Sequence, residues 1–95
     1  MSHDSTITVH VPGPLRIYCR GARTLSLSAA TVRSALEQLE QQQPALHRNI
    51  RDETGAVRRH VNLFVNSDHI RDLAGLETGL RDGDELTIMP AVSGG

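Results

Sequence analysis

The sequence predicts an α+β domain in which one main helix packs on one face of a mixed sheet of four to five strands. Three observations predict it. Apolar and polar residues alternate over four short stretches, STITVHV, TLSLS, HVNLFVN and DELTIMP. The period changes from two to helical spacing over AATVRSALEQLEQQQPAL. The resulting order of strand, strand, helix, strand, short piece, strand buries its apolar faces best as two layers.

The elements follow in order. In STITVHV, Ile7, Val9 and Val11 face one way, and Thr6, Thr8 and His10 the other. Pro12-Gly13-Pro14 then forces a turn, because two prolines and a glycine cannot extend a ladder. Residues 15–20 fit either a loop or a strand. TLSLS turns Leu25 and Leu27 inward and makes a hairpin with the first strand. Val32, Ala35, Leu36 and Leu39 form one apolar stripe, so a helix is expected over Val32–Gln42, with Thr31 or Ser28 as N-cap. Pro44 ends that run. RNIRDETGAVRR reads as an exposed polar loop. In HVNLFVN, Val61, Leu63 and Val65 point inward, and Asn62, Phe64 and Asn66 outward. SDHIRDLAGLETGL is connecting structure with an apolar patch at Leu73, Leu76 and Leu80. Asp82-Gly83 marks a turn. The last strand turns Leu86 and Ile88 inward, Thr87 and Met89 outward.

Length and composition narrow the function. Ninety-five residues make one domain, which we divide into a body over residues 1–90 and a flexible tail over residues 91–95. A chain of this size buries about 60–70% of its unfolded surface and has little room for a deep catalytic cleft. Function is therefore expected on the surface or at a terminus. Ten basic residues against eleven acidic ones leave no basic excess for nucleic acid. All ten are Arg, so the chain offers no lysine for Schiff-base chemistry or for attachment. A single cysteine, Cys19, excludes an internal disulfide, and five scattered His lack the spacing of a zinc site, so no metal is expected. No segment resembles a signal peptide or approaches transmembrane length, which points to the cytoplasm and away from membranes.

The C-terminal third carries a more specific pattern. A strand ends in Asn66, Gly83-Asp84 forms a turn before the last strand, Pro90 closes that strand, and the chain ends in Gly94-Gly95. In this order the elements resemble the sulfur-carrier branch of the ubiquitin-like β-grasp proteins. That branch includes the small subunit of molybdopterin synthase, the thiamine-pathway carrier and the carrier for cysteine synthesis. The long polar loop before HVNLFVN and the ending PAVSGG are most similar to the cysteine-synthesis group.

The resemblance implies a protein co-substrate that is not itself an enzyme and holds no cofactor. Its working group would be the Gly95 carboxylate, preceded by Gly94. An adenylating, sulfur-transferring enzyme would use ATP to activate that carboxylate, and a sulfur donor would convert it to a thiocarboxylate. The implied acceptor is a pyridoxal-phosphate-dependent cysteine synthase, followed by a metalloprotease that releases cysteine.

A tail that must thread a narrow channel favours glycine, which has no Cβ. The five residues after Pro90 reach at most about 17 Å. Ordering them costs on the order of 1–2 kcal/mol each, so a docking face on the body is expected to offset it. Phe64 and Met89, outward on neighbouring strands, are the candidates, continued by Pro90, Ala91, Val92 and Ser93. Single exposed apolar residues are common, but Phe64 is the only Phe in the chain.

Other residues carry less specific readings. Cys19 is either a small buried residue or a sulfur relay, and without a paired His the first is favoured. Surface positions are expected for the His residues and for Arg58-Arg59. Asp82 and Asp84 fit turn chemistry. Three rival functions remain: the molybdopterin synthase small subunit, a modifier joined to target lysines, and a binding domain with an inert tail.

Overall fold

The computed structural model describes residues 4–90. Along the chain run β1 (Ser5–His10), a 3₁₀ helix (Gly13–Cys19), β2 (Thr24–Ala29), α1 (Val32–Gln42), α2 (Pro44–Ile50), β3 (Val61–Val65) and β4 (Asp68–His69). Two 3₁₀ turns follow, Ile70–Asp72 and Gly75–Glu77, and then β5 (Glu85–Pro90). The five strands form one sheet in the order β2-β1-β5-β3-β4. β1 pairs antiparallel with β2 and parallel with β5, while β3 runs antiparallel to both β5 and β4. This is the mixed sheet of the expected β-grasp fold, with the chain's last strand at its centre.

Alternation explains the layering. Ile7, Val9, Leu27, Leu63, Leu86 and Ile88 are buried on one face of the sheet. Val32, Ala35, Leu36 and Leu39 of α1 cover that face together with Leu46 and Ile50 of α2. The opposite face carries Thr8, His10, Thr24, Ser26, Thr87 and Asn62, in keeping with a helix layer on one side only.

α1 begins at a capping box in which Thr31 accepts from the Ser34 backbone N–H and Ser34 Oγ accepts from the Thr31 backbone N–H. Thr31, not Ser28, is the cap. Ser28 instead exchanges two hydrogen bonds with the Gln38 amide, whose nitrogen donates to its carbonyl at 2.6 Å and whose oxygen accepts from its N–H at 2.9 Å. Gln38 thereby ties the edge strand β2 to the helix above it.

The structure departs from the sequence reading at five places. Residues 15–20 fall largely within a 3₁₀ helix, because Pro12-Gly13-Pro14 starts a helical turn there in place of a strand. Pro44 ends α1 and also opens α2 at a position where its missing N–H costs nothing. The polar loop accordingly starts only at Arg51. Ser67 is followed by the two-residue strand β4. Within the apolar patch, Leu80 is buried and Leu76 packs on the core, but Leu73 remains 42% exposed.

The fifth departure concerns His47, which is buried where a surface His was expected. Its Nε2 accepts from the Arg51 Nε–H at 2.8 Å, one helical turn on. Arginine cannot give up that proton, so Nε2 is the bare nitrogen and the imidazole is neutral. Burial holds the His47 pKa below the usual imidazole value, the Arg51 charge adds to this, and Glu40 acts in the opposite sense. Cys19 is buried too, its Sγ against the Ala22 carbonyl at 3.5 Å.

Two predictions follow from the packing. Leu36→Ala removes a fully buried side chain between α1 and the sheet and is expected to cost about 2–5 kcal/mol in urea unfolding. Leu73→Ala should stay within about 0.5 kcal/mol, and equal effects would contradict the core assigned here. His47 is neutral when folded and binds a proton more readily when unfolded. Its contribution to stability is therefore complete above the ordinary imidazole pKa near 6.5 and is lost as pH falls below it. His47→Gln should flatten the fall in urea midpoint between about pH 7.5 and about pH 5.5; an unchanged fall would contradict a neutral buried imidazole.

Candidate functional site

The site begins with how β5 is held. Asn66, at φ 55°, ends β3 in the left-handed region that Asn tolerates. Its side-chain nitrogen donates to Asp84 Oδ1 at 3.1 Å, and its side-chain oxygen accepts the Glu85 N–H at 3.1 Å. Asp84 Oδ2 accepts the Arg81 N–H across the turn at 2.8 Å, and Gly83 supplies the turn's positive φ of 87°. Asp82 Oδ1 accepts the Thr6 N–H at 2.8 Å, while the Gly83 N–H donates to the Thr6 carbonyl at 3.0 Å. Asp82 and Asp84 therefore do perform turn chemistry. Together these bonds lock the start of β5 to β3 on one side and to β1 on the other.

From that lock β5 runs for six residues to Pro90, opposite Val61 in the last pair of the β3–β5 ladder. Pro90 is exposed and offers no N–H to continue the ladder. Ala91, Val92, Ser93, Gly94 and Gly95 lie outside the described residues. The described chain therefore ends at the close of β5, five residues before the Gly95 that the resemblance implies as the working group.

Beside this exit is a patch on the helix-free face. Phe64 pairs with Thr87 and Asn62 with Met89, which makes Phe64 and Met89 diagonal neighbours on that face. Met89 is 48% exposed. Phe64, expected to be exposed, is half-buried, because β4 brings His69 directly opposite it. The rings meet edge to face, with centroids 5.0 Å apart and planes at 67°. His69 is itself held at both nitrogens: Nδ1 accepts the Arg71 N–H at 3.1 Å, which leaves Nε2–H to donate to Asn62 Oδ1 at 3.0 Å. On the far side of Thr87 lies His10, whose Nε2 is 2.5 Å from Glu85 Oε1.

Phe64 and Met89 thus share the helix-free face, as the alternation predicted, while Pro90 follows Met89 at the strand end in register with the inward Val61. The sequence missed His69 and Asn62 as their supports. Asn62 could have been found from its outward place two residues before Phe64; His69 sits on a strand too short to show a period. Among the described residues, no group of three His, Cys, Asp or Glu side chains converges as a metal site would require, and no helix is long and apolar enough to cross a membrane.

Known proteins share this fold. The profile of the ThiS family matches residues 9–95. The chain is 35% identical over 91 residues to the sulfur carrier protein CysO of Mycobacterium tuberculosis, an alignment covering 94% of this chain and 98% of that protein. The crystal structure of Mycobacterium tuberculosis CysO superposes with a TM-score of 0.83 at 34% identity, over 90% of this chain and 99% of that one. The solution structure of small archaeal modifier protein 1 from Methanosarcina acetivorans gives a TM-score of 0.84 at 36% identity, over 99% and 100% of the two chains. The matching chain of the Amycolatopsis orientalis BexX/CysO complex gives 0.81 at 34% identity, over 94% and 99%. The profile match and these likenesses make the chain a member of the ThiS family of ubiquitin-like sulfur carriers.

Proposed function

We propose that this chain is a sulfur carrier whose Gly95 carboxylate is charged with sulfur by an activating enzyme and unloaded for cysteine biosynthesis. The observation that carries the reading is the match to the ThiS family through Gly95, on a chain whose central strand ends five residues before it. In this role the protein is a co-substrate and its partners are the catalysts.

A carboxylate does not react with sulfide, because its leaving group is too poor. Adenylation by ATP joins AMP to the Gly95 carboxylate oxygen and releases pyrophosphate. Hydrosulfide then attacks the carbonyl carbon; the C–S bond forms, the C–O bond to AMP breaks, and the sulfur proton goes to solvent. The product is a thiocarboxylate, a soft nucleophile suited to a pyridoxal-phosphate-dependent cysteine synthase. A metalloprotease would then free the cysteine and restore the carboxylate. ATP belongs to the activating enzyme; no resident cofactor is required here.

Each part of the body has a task in this scheme. Gly94 and Gly95 pass a narrow channel because neither carries a Cβ. Ala91, Val92 and Ser93 span the distance from Pro90 to that channel. Phe64 and Met89, beside the exit, form the docking face that offsets the cost of ordering the tail. The complex of a CysO with BexX supports a carrier of this shape docking a partner protein. The likeness to a small archaeal modifier protein favours a second reading, attachment of Gly95 to lysines of target proteins, and that reading predicts isopeptide conjugates in lysate.

Intact-protein mass spectrometry after incubation with the activating enzyme, ATP and sulfide tests the proposal. The expected product has one oxygen replaced by sulfur, and deleting Gly95 should abolish it. Met89→Glu, at an exposed position, should leave the fold intact and slow charging about tenfold, as loss of an interface anchor does. An intact Gly95 that stays unmodified with an active cognate enzyme would refute the carrier role.

A further inference from the structure

A second site lies away from the β5 exit. α2 and the loop over residues 51–57 enclose a concave space of about 450 Å³, and its walls include Arg48, Arg51, Arg58, Glu40, Asp52 and Glu53. Arg51 is 8% exposed, the only buried Arg among the described residues. The geometry points to this cavity as a binding site for a small oxyanion, a phosphate or carboxylate group, held by the Arg51 guanidinium.

Three observations carry the inference. First, the charge on Arg51 is permanent, and a buried charge without a counterion is costly. Second, Arg51 forms no ion pair among the described residues. Its one side-chain hydrogen bond runs from Nε to His47 Nε2, a neutral acceptor, so both terminal nitrogens lack a protein partner. Third, no side-chain nitrogen or oxygen among the described residues is both fully buried and without a partner. The terminal nitrogens of Arg51 are therefore not sealed in the protein, and Arg51 lines the cavity. Two adjacent N–H groups in one plane are the donor fork that grips an oxyanion.

The acids in the wall do not fill this role. Asp52 Oδ1 is occupied by the Thr54 N–H, the Thr54 hydroxyl and the Ala56 N–H, at 2.9, 2.5 and 3.2 Å. Those bonds hold its carboxyl below the ordinary range. Glu40 lies on the other side of the imidazole, with Oε2 4.0 Å from His47 Nδ1. Glu53 is exposed. Gly55, at φ 87°, passes beside the guanidinium, and a Cβ there would lie in ordinary contact with Nη1 at 4.0 Å. Arg58 spends its Nε on the Arg48 carbonyl at 2.8 Å and brings a second guanidinium to the same wall. The site goes beyond the sulfur-carrier reading and does not depend on it.

The test is a ¹H–¹⁵N NMR titration of the whole protein with inorganic phosphate and, separately, acetate, at ionic strength held constant with chloride. Saturable shifts of Gly55 and of the Arg51 side-chain Nε–H are expected with one or both. The anion that saturates at lower concentration identifies the group as phosphate or carboxylate. Arg51→Gln should abolish saturation, and Arg58→Gln should weaken it about tenfold, the loss of one charge-assisted contact. If Arg51→Gln fails to fold, Arg58→Gln decides alone. Shifts no larger than those with chloride, or saturation unchanged by the variants, would overturn the proposal.

Discussion

The structure depends on the bond set between Asn66 and the Gly83-Asp84 turn. A strand's side chains alternate between faces, so a slip of one residue in β5 would drive Leu86 and Ile88 into solvent and Thr87 and Met89 into the core. Asn66 prevents that slip by engaging two consecutive residues at once, Asp84 of the turn through a side-chain oxygen and Glu85, the first residue of β5, through its N–H. The same turn is bonded to Thr6 at the start of β1. One polar cluster thus sets the register of three strands. Core burial then stabilises an arrangement whose alignment polar groups have selected.

Fixing β5 has consequences at its other end. β5 is the central strand, paired with both β1 and β3 over Glu85–Thr87 and with β3 alone from Ile88 to Pro90, so its ladder to β3 fixes where the chain leaves the sheet. With α1 and α2 confined to one face, the other face stays open beside that exit. Phe64 is steadied there by His69, which Arg71 and Asn62 fix in one tautomer, while Met89 remains adaptable. A rigid aromatic next to a pliable thioether suits a surface that meets several partners in turn, as a carrier charged by one enzyme and discharged by another must do. The Arg51 cavity belongs to a different part of the molecule. It arises because α2 and the loop after it close around a charge that neither of them neutralises.

Much of this was legible in the sequence where periodicity was strong. Alternation located β1, β2, β3 and β5 and assigned their inward residues, and the helical stripe from Val32 to Leu39 placed α1 at its observed bounds. The ending Pro90 to Gly94-Gly95, with Asn66 and Gly83-Asp84, carried the family. What stayed hidden was local in nature. α2 was masked by Pro44, which reads as a stop although the first turn of a helix accepts it, while Leu46 and Ile50 mark its buried face only once the helix is known. β4 is too short to have a period. The burial of His47 and Arg51 could not be read at all, because both residue types are usually exposed and only the fold brings α2 and the 51–57 loop together over them.

The central claim is that the bonds of Asn66, Asp82 and Asp84 lock the start of β5 at the middle of the sheet. Native-state hydrogen exchange of the backbone amides measures this directly. The amides of Leu86 and Ile88 are expected to exchange only through global unfolding, with the same free energy as the whole domain, and Asn66→Ala should lower that value without uncoupling the strand from the core. Exchange of these amides by local opening, at rates like those of the 51–57 loop, would contradict it.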